Sequence, residues 1–187
     1  MPQNIPKQSD IELFYQLREE PATARQAFEE LYDRYGGIVF RYCLRVVGSR
    51  SMAEDLFQET FTRFFQSARD ERAMTNVEAF ILRIARNLCL NVRKNKHFGM
   101  ESIDDLDLAT HDTLYEKKEI EQMVIAALDS LPHEYREALV LREYGGLSYI
   151  DIAGIVGASV ATVSVRIFRA KKKLRQILSP YLSDLMV

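Results

Sequence analysis

The feature that most constrains this chain is one glycine between two short runs of helical periodicity, in residues 147–178, LSYIDIAGIVGASVATVSVRIFRAKKKLRQIL. Ser148 is placed to cap a first helix, with Asp151 at the capping-box position, and Ile150, Ile152, Ala153 and Val156 give it an apolar stripe. Gly157 accepts the left-handed backbone that stops a helix sharply, and Ser159 follows as the cap of a second. There Val160, Val163, Ile167, Ala170 and Leu174 recur three and four apart, which predicts one buried face. The other face carries Ala161, Val165, Phe168 and Lys172, flanked by Ser164, Arg166, Arg169, Lys173 and Arg175, with no acidic residue from Val160 to Leu178. A solvated amphipathic hairpin could share parts of this pattern. Caps, glycine turn and one-sided charge together predict a helix-turn-helix whose second helix enters the major groove, where phosphate neutralisation supplies much of the affinity.

The rest of the chain reads as helix too. Helical patterns cover 10–19, 22–47, 52–68, 76–96, 118–131, 133–144, 149–156 and 160–178, with capping boxes at Ser51/Glu54 and Thr75/Glu78 and no strand pattern. The expected fold is all-α: two small helical domains, 1–97 and 118–187, joined by an acidic linker at 98–117, which overlaps a weakly patterned stretch from 95 to 115. With 187 residues and 47% hydrophobic composition, each domain can bury a core. The net charge of −2 hides a segregation: residues 79–98 hold five basic and no acidic side chains, whereas 99–121 hold eight acidic and two basic.

Several classes are disfavoured. Cys43 and Cys89 have no CxxC or Cys/His neighbours, so buried free thiols are expected rather than a disulfide or zinc site. His97, His111 and His133 have no triad or metal-ligand spacing and there is no glycine-rich phosphate loop, so no catalytic residue, metal or cofactor is expected and the chain is not read as an enzyme. No apolar run reaches membrane-span length and the N-terminus lacks a signal-peptide core, so a cytoplasmic protein without membrane insertion is expected.

Two N-terminal helices carry surface chemistry. In 52–68, Phe57, Phe61, Phe64, Phe65 and Ala68 form an aromatic core stripe, while Glu54, Asp55, Gln58, Thr62 and Gln66 share the outer face, beside Glu59. Adjacent carboxylates of this kind suit a basic protein partner. In 76–96, Val77, Phe80, Ile81, Ile84, Ala85 and Leu88 face inward; Arg83, Arg86, Asn87, Asn91, Arg93 and Lys94 face outward, after a polar loop, SARDERAMT, that contains Arg72. Basic and amide groups beside aromatics suit single-stranded DNA with splayed bases.

Four separated strings, AEDLFQETF at 53–61, AFILRIARNLCLNVRKNK at 79–96, LP at 131–132 and LSYIDIAGIVG with TVSVRIFRAKKKL, resemble the sigma factors of bacterial RNA polymerase, in particular the extracytoplasmic-function (ECF) group. The resemblance covers residues 28–178. It implies that the helix with Glu54, Asp55, Gln58, Glu59 and Thr62 binds the largest subunits of core polymerase. It further implies that Arg72, Phe80, Arg83, Arg86, Asn87, Asn91, Arg93 and Lys94 engage the promoter −10 element and its melted non-template strand, with Asn87 at a base pocket. Ser159, Thr162, Ser164, Val165, Arg166, Phe168, Arg169, Lys172 and Lys173 would meet the double-stranded −35 element. The acidic linker would thread toward the polymerase cleft, and an anti-sigma factor or another DNA-bound recruiter is a possible partner.

The chain departs from that family at Phe80, where tryptophan is usual, and at Asn91, where aspartate is common. Ala161, Ser164 and Val165 replace the usual glycine, basic residue and serine, so −35 recognition is expected to be weak or altered. A stand-alone dimeric helix-turn-helix regulator is the competing reading; it leaves the AEDLFQE and RIARN helices unexplained.

Overall fold

The computed structural model describes residues 8–71, 73–97 and 123–184, and among these it contains eight helices and no strand. The expected linker at 98–117 lies outside the described residues, as do 118–122 of the fifth expected helix. Contacts divide the chain into two compact units, Met1–Ser102 and Ile103–Val187.

The first unit holds α1 (Asp10–Gln16), α2 (Pro21–Val47), α3 (Arg50–Ser67) and α4 (Val77–His97). Long α2 packs against the other three, and α3 and α4 pack on each other. Its buried residues Ala24, Ala27, Leu31, Tyr35, Val39 and Tyr42 recur at three and four, the spacing that holds one helical stripe in a core. Phe14, Phe64 and Phe80 bring rings from α1, α3 and α4 to 5.9–6.2 Å of one another.

The caps differ from expectation. α3 starts earlier, capped by Ser49, whose hydroxyl accepts from the Met52 amide, so Ser51 lies inside the helix. α4 is capped by Asn76, whose Oδ1 accepts from the Ala79 amide at 2.9 Å, rather than by Thr75. Asparagine is the stronger cap of the two, and this start keeps Val77 and Ile81 in the core. The reciprocal capping box is at Ser9 and Glu12, at the head of α1. α1 ends at Gln16, short of the expected 19.

The second unit holds α5 (123–129), α6 (His133–Glu143), α7 (Tyr149–Val156) and α8 (Val160–Asp184). α6, α7 and α8 pack mutually over Ala138, Leu141, Leu147, Ile152, Ile155, Val163, Ile167 and Ala170. Arg136 ties α6 back to the end of α5 through the Asp129 carboxylate (2.7 Å) and carbonyl (2.9 Å). α8 runs past Leu178 and through Pro180, six residues beyond the expected end. A proline deletes one backbone donor there, and exposed Gln176 leaves the orphaned carbonyl open to water.

Candidate nucleic-acid and protein interfaces

On α3, Glu54, Asp55, Gln58, Glu59 and Thr62 are all exposed on the side away from the Phe61 and Phe64 core. Two of the carboxylates have partners on their own helix: Arg50 Nε lies 3.0 Å from Glu54 and Arg63 Nε 2.6 Å from Glu59. Pairs this exposed contribute about 0.3–0.5 kcal/mol, so an incoming cation can displace them at small cost. Beside this face opens a groove of about 830 Å³ floored by Phe28, Tyr32, Phe61 and Phe65, with Gln58 and Thr62 on its wall and Arg18, Arg25 and Arg69 among its lining residues. Sequence reasoning missed the groove. Its signal was Phe28 and Tyr32, four apart on α2, which meet Phe61 and Phe65, four apart on α3, with Tyr32–Phe61 rings at 4.8 Å and Phe28–Phe65 at 5.6 Å.

α4 sets exposed Arg83, Asn87 and Asn91 in a row along one face, with half-exposed Arg86 beside them. The inward face is wider than periodicity indicated: Leu82 and Cys89 are fully buried, whereas Phe80 and Ile84 are only half-buried, because α4 packs against both α2 and α3. The loop entering α4 is braced from α1. Arg18 Nε donates to the Ala68 carbonyl at the end of α3, its guanidinium lies 5.2 Å from the Tyr15 ring centre, and the Tyr15 hydroxyl accepts from the Met74 amide at 3.4 Å. Arg72 and the side chains of Arg93 and Lys94 lie outside the described residues.

A part-buried polar cluster fixes α1 on α2. Asp10 accepts from Arg34 Nη1 and from the Tyr35 hydroxyl, each at 2.6 Å, while Arg34 Nε donates to Glu30 at 2.8 Å. Burial first, then the bond to Asp10, pushes the Tyr35 phenol far above the ordinary tyrosine range.

In the second unit the turn forms as the residues dictate. Ser148 Oγ accepts from the Asp151 amide, Gly157 closes α7 at φ 68° and ψ 41°, and Ser159 Oγ accepts from the Thr162 amide at 3.1 Å. The axes of α7 and α8 bend by 101°, within the helix-turn-helix range. Two residues expected in the buried stripes are not there: Ile150 is 73% and Val160 44% exposed, both in the first turn of their helices. Ile155 takes the inward place in α7. Of the predicted DNA-facing residues, Ser159, Thr162, Ser164, Val165, Phe168, Arg169, Lys172 and Lys173 are exposed. Arg166 is half-buried, its guanidinium turned toward Glu134 at 3.9 Å, and Arg169 Nη1 donates to the Tyr135 hydroxyl at 3.1 Å. Both cysteines are buried, and neither is in a disulfide. Among the described residues no cluster of His, Cys, Asp or Glu could hold a metal ion, and no single helix is long and apolar enough to cross a membrane.

A helix-turn-helix with a basic second helix, in a chain that also folds a separate four-helix unit bearing an acidic and a basic face, defines a two-unit helical DNA-binding protein. A sigma-70 region 2 family model matches residues 31–98 and a sigma-70 region 4 model matches 121–174. The ECF RNA polymerase sigma-E factor of Haemophilus influenzae is 32% identical over 170 residues, covering 83% of this chain and 89% of that protein. The ECF sigma factor SigE of Mycolicibacterium smegmatis is 35% identical over 168 residues, covering 86% of this chain and 65% of that longer protein. The chain belongs to the ECF RNA polymerase sigma factors, DNA-binding factors of transcription initiation. Its fold is also that of the sigma factor RpoE solved with the anti-sigma factor NepR from Bartonella quintana, with a TM-score of 0.65 at 23% identity over 81% of this chain and 96% of that one.

Proposed function

We propose that the first unit docks on core RNA polymerase through Glu54, Asp55, Gln58, Glu59 and Thr62 and opens the −10 element with the exposed row on α4, while α8 holds the −35 duplex. The observation that carries this reading is that one four-helix unit presents both faces: exposed carboxylates on α3 for a basic protein surface, and exposed Arg83, Asn87 and Asn91 on α4 for nucleic acid. Unstacking a base costs a few kcal/mol, so amide groups that hold it outside the stack both select sequence and favour melting. Half-buried Phe80 offers a ring edge beside that row, and Arg83 and Arg86 supply charge for the strand's phosphates. Arg72, Arg93 and Lys94 are assigned to the same strand from the family resemblance.

In α8, Ser159 and Thr162 stand at the helix N-terminus, where backbone amides favour a phosphate, and Arg169, Lys172 and Lys173 add sequence-independent grip. The boundaries 1–97, 98–117 and 118–187 are proposed as the two domains and their linker. The factor works where polymerase does, in the cytoplasm, and an anti-sigma protein, such as that bound to the B. quintana factor, is the regulator proposed for it.

The test is reconstitution: core polymerase with the full chain, followed by mapping of RNA 5′ ends. Starts are expected downstream of one shared promoter sequence, and Asp55→Lys should abolish co-purification with core while leaving the fold intact. A chain that ignores core polymerase and binds a palindromic site as a symmetric dimer would refute the reading in favour of an autonomous regulator.

A further inference from the structure

The first three turns of α8 present an unusual surface for reading bases. Ala161, Val165 and Phe168 lie four and three residues apart on one outward face, with Val165 45% and Phe168 68% exposed. The polar groups nearby are short or engaged. The Thr162 and Ser159 hydroxyls lie 2.8 Å apart, the Arg166 guanidinium is turned to Glu134, and Arg169 is bonded to Tyr135. Yet the flanks of this face are those of a nucleic-acid surface: residues 160–178 hold six basic and no acidic side chains. Arg166 and Lys171 are paired with Glu134 and Glu143 of α6, and Lys172, Lys173 and Arg175 extend the positive flank, so the exposed valine and phenylalanine complement a partner that is anionic at its edges and apolar at its centre.

A major groove has one apolar group on its floor, the C5 methyl of thymine. We propose that Val165 and Phe168 specify the −35 element by packing on thymine methyls, while the basic flanks hold the phosphates. The inference rests on the reading of α8 as the −35 helix and deepens it. From Val165 to Phe168 the helix advances about 4.5 Å, little more than one base-pair step of about 3.4 Å. The recognised element should therefore contain thymines, on either strand, at about two neighbouring positions.

The test uses holoenzyme made from core polymerase and the full chain on a promoter pool randomised upstream of the −10 element. Enrichment of A·T pairs is expected, and replacing each selected thymine by uracil, which removes the methyl and keeps every donor and acceptor, should lower promoter use about fourfold per position. Val165→Ala with Phe168→Ala should lower use of the thymine promoter to the uracil level and erase the difference between them. Both side chains are exposed, so the thermal transition should not move.

Equal use of uracil and thymine promoters would overturn the inference, as would selection of guanines whose effect vanishes in Arg169→Ala. Initiation that depends on the −10 element alone would overturn it together with the −35 assignment, and would give the apolar face to a protein partner. Absence of any promoter-directed RNA would overturn the promoter-recognition reading beneath both.

Discussion

Replacing Gly157 by alanine isolates what the turn between α7 and α8 contributes. The residue sits at φ 68° and ψ 41°, and a Cβ built there meets nothing within 4 Å, so the penalty is conformational rather than a clash. Left-handed backbone costs an L-residue about 1–2 kcal/mol, and only part of that is offset by the stiffer unfolded chain. After that offset about 0.5–1.5 kcal/mol remains, which for two-state opening is about a 2–13-fold rise in the open population. Hydrogen–deuterium exchange on the full chain separates the two units. Amides of α6, α7 and α8 that exchange only by opening of the whole unit should speed up by that factor, and those of α2 and α4 should not change. Gly157→Asn should fall between glycine and alanine, because asparagine tolerates the left-handed region. Unchanged exchange in α7 and α8, or an alanine variant more stable than the parent, would refute the argument. Because this loss leaves the unit overwhelmingly folded, −35 affinity should stay within about twofold if the substitution costs stability alone. A larger loss would mean that the 101° bend itself has changed.

Two further outcomes follow from the first unit. Tyr35→Phe should cost about 1–3 kcal/mol at neutral pH by removing the bond to Asp10. Because the folded phenol titrates above the unfolded one, the parent's stability is fully present below about pH 10 and declines above it, so the gap between parent and variant should narrow in denaturant titrations at pH 10–11. Arg18→Ala should loosen the loop ahead of α4 by removing its bond to the Ala68 carbonyl, lowering open-complex formation on duplex promoters more than on promoters already mismatched at −10; equal effects on both would refute a role in melting.

What the sequence revealed and what it hid divide along chain separation. The α7 limits, the Gly157 stop and the Ser159 cap were legible because each is decided by residues within four positions of one another. Ile150 and Val160 were misassigned because periodicity states which side of a helix is apolar, not where the neighbouring helix ends, and first turns project past their partners. Leu82 and Cys89 were missed because a helix sandwiched between two others buries more than one stripe. The Phe28/Tyr32 and Phe61/Phe65 pairs are each local, but the meeting of the two pairs in one groove, like the Arg18 to Ala68 bond, joins residues tens of positions apart. The carboxylates of α3 were read correctly as exposed, but their own-helix partners Arg50 and Arg63 were overlooked, though the four-residue spacing was there to see.

The two buried thiols give the protein an internal clock. Cys43 in α2 and Cys89 in α4 are the only cysteines of the chain, and each is 0% exposed within the first unit. A thiol reagent or oxidant therefore reaches sulfur only when those helices part, and its rate counts openings of the unit assigned to polymerase and the −10 strand while remaining blind to the unit that carries α8. Any partner that clamps the first unit should slow that chemistry in proportion to how firmly it holds, so one unlabelled, full-length chain can report its own engagement.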